Sequence, residues 1–294
     1  MSTSSILTKL QQFKEIRKRQ VFCPVANHRV MVTPLTVADD ISLRTMVSSP
    51  DIYERDLLKL IYAHAEFPDI SSDDKPSFEV FTSNFSNFDK KVLIWGIYDS
   101  TYGKLGTQQL TCPECKTKFK ETIFIKQLVD EETIKSMWDH EEAFTTYEEV
   151  TEVEVGLDGF TKIQFTIAIP SMKKHLDIMS LLNMDEIKDN TSKYNSVLSK
   201  QDELALVTKN IKLFSNETEF DEVVTFDDIH ALILNYIPLD VAQQVNDTFN
   251  EKFSKYDPHF KKNITCPNTS CGHTFDLDVD IEVAMFRSFF RIGY

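Results

Sequence analysis

Two cysteine pairs carry the most specific chemistry in this chain. Cys112 and Cys115 lie in Leu110-Thr111-Cys112-Pro113-Glu114-Cys115-Lys116-Thr117-Lys118-Phe119. Cys266 and Cys271 lie in Ile264-Thr265-Cys266-Pro267-Asn268-Thr269-Ser270-Cys271-Gly272-His273-Thr274-Phe275. Each knuckle has an apolar residue and Thr before Cys-Pro, a second Cys after a tight turn, and a Phe four residues beyond it. A CxxC turn brings two thiolates within reach of one tetrahedral ion, and a second pair elsewhere in the chain completes such sites. The second knuckle has four residues between its cysteines, still within the spacing zinc knuckles tolerate. The proline stiffens each turn, and Gly272 supplies a left-handed residue after Cys271. Four cysteines around one ion leave no open position, so the expectation is a structural zinc, not a catalytic one. His273 is a possible substitute ligand.

Other readings of the same residues compete. The Cys-Pro-Glu-Cys run could be a redox dithiol, but such motifs usually open a helix, whereas β-forming residues follow here from Phe119 to Ile125. Each pair could also be unliganded, or be completed by a partner subunit. The fifth cysteine, Cys23, precedes Pro24 and reads as a small buried hydrophobe.

The elements that must position the knuckles read as an α+β, helix-rich chain of two similar halves, a candidate pseudo-twofold internal duplication. Residues 1–20 form a basic amphipathic helix on Leu7, Leu10, Phe13 and Ile16, with Lys9, Lys14, Arg17, Lys18 and Arg19 between and beyond them. The first half, 21–130, opens with an extended stretch through Met31-Val32-Thr33-Pro34-Leu35. Asp39 or Asp40 is expected to cap the next helix. Further helices follow on Leu57, Leu58, Leu60 and Ile61, then on Phe88, Val92, Leu93, Trp95 and Ile97, before the Cys-Pro-Glu-Cys knuckle and a strand. Residues 131–154 form an acidic connector: from 130 to 154 there are ten acidic side chains against Lys135. The second half, 155–284, begins in a hairpin of Val150–Val155 and Phe160–Ile169 around Gly156-Leu157-Asp158-Gly159, with Pro170 ending its second strand. Helical patterns follow on Leu176, Met179 and Leu182, on Leu204, Val207 and Ile211, on Ile229, Leu232, Ile233 and Tyr236, and on Val241, Val245, Phe249 and Phe253. The second knuckle and a strand from Phe275 to Ile281 close that half. Residues 285–294 are an aromatic tail with two Arg, read as a helix end or a docking peptide.

Composition bounds the function. The chain has 294 residues, 41% hydrophobic and 27% charged, with 22 Phe and only 7 Gly. No GxGxxG and no Walker-type run occurs, which removes the common phosphate loops. No apolar run is long enough to span a membrane and no signal core opens the chain, so a cytosolic protein with reduced thiols is expected. A net charge of −14 argues against nucleic acid as the main partner. GxSxG, HExxH and EF-hand patterns are absent, and His28, His64, His140, His175, His230, His259 and His273 form no evident pair with a nucleophile. The expectation is a non-enzyme.

The stretch Phe22-Cys23-Pro24-Val25-Ala26-Asn27-His28-Arg29-Val30-Met31-Val32-Thr33-Pro34-Leu35-Thr36-Val37, followed by a capped helix, resembles the opening of the baseplate hub assembly proteins of T-even-like contractile-tailed bacteriophages. The likeness covers about the first 125 residues. Some members also carry a CPxC knuckle after a helix. Where that family favours a Ser/Thr-Gly-Lys turn, this chain has Val25-Ala26-Asn27-His28. The resemblance implies an assembly chaperone or minor hub component, acting with baseplate hub or tail proteins in the bacterial cytoplasm or in the virion tail. The alternative on the residues alone is a zinc-ribbon-like module for nucleic acid or transcription. It would need a basic face near the knuckles, where Lys116, Lys118, Lys120, Lys261 and Lys262 cluster in sequence.

Overall fold

A computed structural model describes residues 12, 14–45, 50–68, 75–129, 133–134, 147–157, 159–181, 200–279 and 281. It is a mixed α+β structure with small antiparallel sheets. The chain opens with the hairpin β1 (Arg19–Cys23) and β2 (His28–Val32), whose alternation buries Val21, Cys23, Val30 and Val32. Asn27 takes the left-handed residue of the turn, a conformation Asn tolerates. Helices α1 (Val37–Thr45) and α2 (Pro50–His64) follow, and β3 (Ala65–Glu66) returns beside β2. Neither Asp39 nor Asp40 is the cap of α1. Thr36 is, because its hydroxyl accepts from the Asp39 amide while the Asp39 carboxylate accepts from the Thr36 amide at 2.6 Å.

Helices α3 (Phe78–Asn84) and α4 (Asn87–Thr101) lead to the first knuckle. Helix α4 is buried nearly all round, so it is the central rod of this half. Gly96 lets it lie on the first hairpin: a methyl there would run into Val21 and Val32. A Ser86/Asp89 capping box starts the helix. The knuckle itself is the tip of the hairpin β4 (Lys104–Thr111) and β5 (Lys118–Phe124), which ends in a 3-10 turn at Ile125–Gln127.

In the second half, β6 (Glu149–Leu157), β7 (Phe160–Ile167), β8 (Thr208–Phe214) and β9 (Phe220–Val223) form one four-stranded sheet in chain order. Helices α5 (Met172–Leu181) and α6 (Lys200–Val207) join β7 to β8. Helices α7 (Phe226–Asn235) and α8 (Leu239–Phe253) lead to the last hairpin, β10 (Lys261–Thr265) and β11 (Thr274–Asp278). Ile211 is not on the helix of Leu204 and Val207, as its spacing suggested. The helix stops at Val207, whose carbonyl accepts from the Ala168 amide, and Thr208–Phe214, with β-branched Thr208 and Ile211, pairs with β7. The acidic stretch also ends sooner than its composition implied, since Glu149, Glu152 and Glu154 are strand residues of β6. The strands expected to reach Ile125, Ile169 and Ile281 end at Phe124, Ile167 and Asp278. Of the helix expected over residues 1–20, the described residues 12 and 14–17 are helical, but Arg19 and Gln20 open β1, where they pair with Val32 and Met31. Residues 1–11 and 13, the residues 182–199 and the tail 285–294 lie outside the described residues.

Among the described residues a hairpin, two helices, a returning strand, two helices and a Cys hairpin occur in that order in the first half, and the second half follows it with β9 added after the returning strand β8. The main sheets differ, with three strands in one half and four in the other. Two cores result, and they interlock. Met172, Phe260 and Ile281 from the second half pack in the first core, and Val25 from the first hairpin packs in the second. The buried Asp89 carboxylate ties this joint, accepting from the backbone amides of Val25, Ala26 and Ser86 and from the Ser86 hydroxyl. Backbone bonds from Met172 to Phe85 (2.8 Å) and from Asn87 to Pro170 (3.3 Å) run beside it.

Candidate metal centre

The two Cys hairpins share a root. Trp95 of α4 donates to the Ile125 carbonyl at the foot of β5 and stacks on Phe260 at the foot of β10. The Lys261 amide donates to the Leu128 carbonyl at 2.9 Å. Each hairpin is closed at its base in the same way, Ile125 N to Gly103 O in one and Val279 N to Phe260 O in the other. The central helix therefore fixes where the two tips point.

At the tips the likeness becomes atomic. Leu110 pairs with Phe119 and Thr111 with Lys118, as Ile264 pairs with Phe275 and Thr265 with Thr274. The first cysteine of each knuckle donates its amide to the residue two beyond the second: Cys112 to Thr117 O (3.0 Å), Cys266 to His273 O (2.8 Å). The residue after the second cysteine is left-handed in both, Lys116 at φ 60° and Gly272 at φ 58°. Lys116 bears a Cβ in a conformation glycine adopts freely, and its Nζ donates to the Pro113 carbonyl at 2.6 Å. The two extra residues of the second knuckle are absorbed before Cys271, where the Cys271 and Gly272 amides both donate to Asn268 O.

The hairpins meet with their sulfurs facing. Cys112, Cys115, Cys266 and Cys271 place all four Sγ atoms within 4.8 Å of one another. Cys112 Sγ lies 3.9 Å from Cys271 Sγ, and Cys115 Sγ 3.6 Å from Cys266 Sγ. Each close contact therefore joins the first cysteine of one knuckle to the second of the other, the pattern a local twofold axis produces. An ion bound to four thiolates at ~2.3 Å sets the sulfurs about 3.8 Å apart. The observed spacings bracket that edge length, and they are far too long for a disulfide at ~2.0 Å. The donor set fits a tetrahedral, thiophilic metal. Phe119 and Phe275 meet edge to face between the two hairpins, their centroids 6.5 Å apart.

The four thiols differ in their surroundings. Cys112 and Cys266 are buried, Cys115 is exposed and Cys271 is half-buried. Hydrogen bonding with the side chain and backbone of Thr117, whose Oγ1 lies 3.1 Å from the sulfur, pulls the Cys115 thiol down to about 6. Burial pushes Cys266 up to about 12. Cys271 gains from a backbone hydrogen bond with His273, yet burial and the neighbouring sulfurs raise it overall. Asn268 Nδ2 points at Cys115 Sγ from 3.9 Å and at Thr117 Oγ1 from 3.4 Å. A cation at the centre would favour the thiolate at every position.

All four cysteines singled out by their spacing are thus brought together. His273 is not with them: its ring stacks on Phe275 and only its backbone serves the site. Cys23 is fully buried in the first core, away from the cluster. Of the knuckle lysines, Lys262 bridges the hairpins, donating to Glu121 at 2.7 Å and to the Thr122 carbonyl at 3.1 Å. Thr117, Asn268 and this strut were not singled out from sequence. Aligning the knuckles on their second cysteines would have matched Thr117 with His273 and Lys116 with Gly272. No helix among the described residues is long and apolar enough to cross a membrane. Comparison with protein-family models, with curated proteins and with solved structures finds no match to this chain.

Proposed function

We propose that this chain is a non-enzymatic assembly protein of a phage tail baseplate hub, a chaperone or minor hub component whose halves are clamped by a structural zinc. The observation that carries the clamp is the set of four facing sulfurs contributed equally by two hairpins. A tetrahedron of four thiolates leaves no position for water or substrate, so such an ion stabilises and does not catalyse. Zinc suits the role because it holds that geometry without redox chemistry; iron is the other metal that four thiolates favour.

Support for the phage reading comes from the opening residues. Phe22 to Val32 lies on the β1–β2 hairpin, and Pro34-Leu35-Thr36 leads into a helix that Thr36 caps, the order on which the family resemblance rests. The recurrence of element order and the matched Cys hairpins support an internal duplication, with the metal on its local axis.

Two measurements test this reading. Elemental analysis of protein purified without a metal-binding tag should find one zinc per chain, and a visible absorption band would instead identify iron. Co-expression with the hub and tail proteins of the same genome should give a stoichiometric complex on size exclusion. If the folded, metal-loaded chain elutes alone beside each of them, the assembly role is wrong even if the clamp is right.

A further inference from the structure

We propose that the exposed face of the β4–β5 hairpin, with the cavity at its open end, is a docking site for an acidic, extended protein segment that carries an aromatic side chain. Residues opposite each other on a hairpin share a face. On this hairpin one face is formed by Lys104 opposite Phe124, Thr107 opposite Thr122, Gln109 opposite Lys120 and Thr111 opposite Lys118. It holds three lysines and no carboxylate, in a chain of net charge −14. Glu121 lies on the other face, engaged by Lys262. The three lysines are exposed, and none has an acidic partner among the described residues.

The face runs into a cavity of about 350 Å³. Lys104 and Phe124 belong to both surfaces, and Arg19, Tyr102 and Lys126 complete the cavity. Its one carboxylate, Asp99, is held by Arg19 at 3.1 Å. Phe124 is 41% exposed and Tyr102 37%. Two half-open aromatic rings beside three lysines that have no acidic partner among the described residues give this face the composition of a recognition site. The equivalent face of the second hairpin lacks this character: it sets Lys261 opposite Asp278 and Asn263 opposite Asp276.

Charge complementarity identifies the occupant as an anion, and extent identifies it as a peptide. The cationic strip is only one short hairpin long. A nucleic acid continuing past it would meet the acidic remainder of the molecule, and phosphate neutralisation needs many cations in line. A peptide of alternating carboxylates and one aromatic ring ends where the strip ends. This inference stands on the surface alone and does not depend on what the metal does.

The test is fluorescence anisotropy at low salt, with the full-length protein and a labelled Glu-rich peptide of about ten residues containing one Phe, long enough for the hairpin at ~3.3 Å per residue. The peptide should bind, more weakly as salt is raised, and Lys104→Glu with Lys120→Glu should weaken it at least about tenfold. Lys261→Glu, on the other hairpin, should leave it unchanged. Circular dichroism and metal content check folding, and Lys104→Gln with Lys126→Gln serves if the charge reversal does not fold. Absence of binding, an equal loss with Lys261→Glu, or tighter binding of an oligothymidylate of the same length would each overturn the proposal.

Discussion

The two Cys hairpins share the hydrogen bond across the neck of the knuckle, the register at the tip and the left-handed residue, yet they present different chemistry to their surroundings. The first uses a shorter turn, accepts strain at Lys116, exposes Cys115 and shows the solvent a cationic face. The second uses a longer turn, relieves the strain with Gly272, half-buries Cys271 and shows a face in which Asp276 and Asp278 balance Lys261. What the two have in common is what four-sulfur coordination requires: two sulfurs per turn, aimed by a backbone that bonds across its own neck. What differs lies away from the ion. Metal geometry constrains the tips tightly and leaves the faces free to diverge.

If the hairpins are equal partners in the clamp, removing a ligand from either must have the same consequence. Cys112→Ser and Cys266→Ser are each expected to lose the metal and to lower stability by about 4 kcal/mol, the scale of losing a structural ion. Chelation of the wild type should match both. Elemental analysis and urea unfolding measure the two quantities. A serine variant of one hairpin that keeps its metal, while the other loses it, would break the equivalence.

Stripped of metal and kept reduced, the two hairpins should separate by reactivity. Cys115, held near 6 by Thr117, is mostly thiolate at pH 7, while burial keeps Cys266 a thiol. Alkylation of the metal-free protein by iodoacetamide should therefore mark Cys115 at least about 100-fold faster than Cys266, because the thiolate is the nucleophile. Its rate should rise to half its plateau near pH 6 and change little above pH 7. Bound metal should protect all four positions. Peptide mass spectrometry reads the order, and first labelling at Cys266 would show that the tips rearrange when the ion leaves.

How much of this was legible in the sequence depends on what each residue answers to. The four ligands were readable because Cys-Pro-x-Cys and Cys-Pro-x-x-x-Cys encode a local turn, and a local turn survives any tertiary context. The helices on Leu57–Ile61, Val92–Ile97 and Val241–Phe253 were readable from their 3.6-residue period for the same reason. Ile211 was misplaced because its spacing from Leu204 and Val207 also fits a helix, and only pairing with β7 decides between the two periods. The cap of α1 was shifted by a few residues because Thr36 and Asp39 exchange reciprocal bonds, and the sequence shows both donors without their direction. The interlocking of the cores through Val25, Met172 and Phe260 was not legible at all. It depends on where distant hairpins land, which no local period records.

The strain difference offers a smaller test of the same comparison. Gly272→Ala meets no neighbouring atom within 4 Å, so its cost is that of the left-handed backbone alone, about 1 kcal/mol. Lys116→Gly should change stability by less than about 0.5 kcal/mol, because relief of strain is offset by the greater freedom of the unfolded chain. Gly272→Lys should then resemble Gly272→Ala, since Lys116 already holds a lysine at the matching angle. Metal content should stay at one ion throughout. A loss of metal in Gly272→Lys, with Lys116 tolerated in the wild type, would mean that the longer turn needs its glycine for more than φ.

The smallest effect probes a charged side-chain link between the hairpins that does not involve sulfur. Lys262 reaches from β10 to Glu121 and the Thr122 carbonyl of β5, and it is mostly covered while Glu121 is about a third exposed. Lys262→Met keeps the apolar stem and removes the charge, at an expected cost of under about 1 kcal/mol. Measured in the Cys112→Ser background, the same substitution reports on the ion's role. If the root at Trp95 and Leu128 holds the hairpins together without metal, the strut survives and Lys262→Met costs the same in both backgrounds. If the ion is what brings the tips together, the strut has no partner once the metal is gone, and the second substitution costs nothing further. A double-mutant cycle on urea unfolding separates these outcomes: zero coupling describes a preformed socket, and coupling equal to the whole strut describes a clamp that closes on its metal.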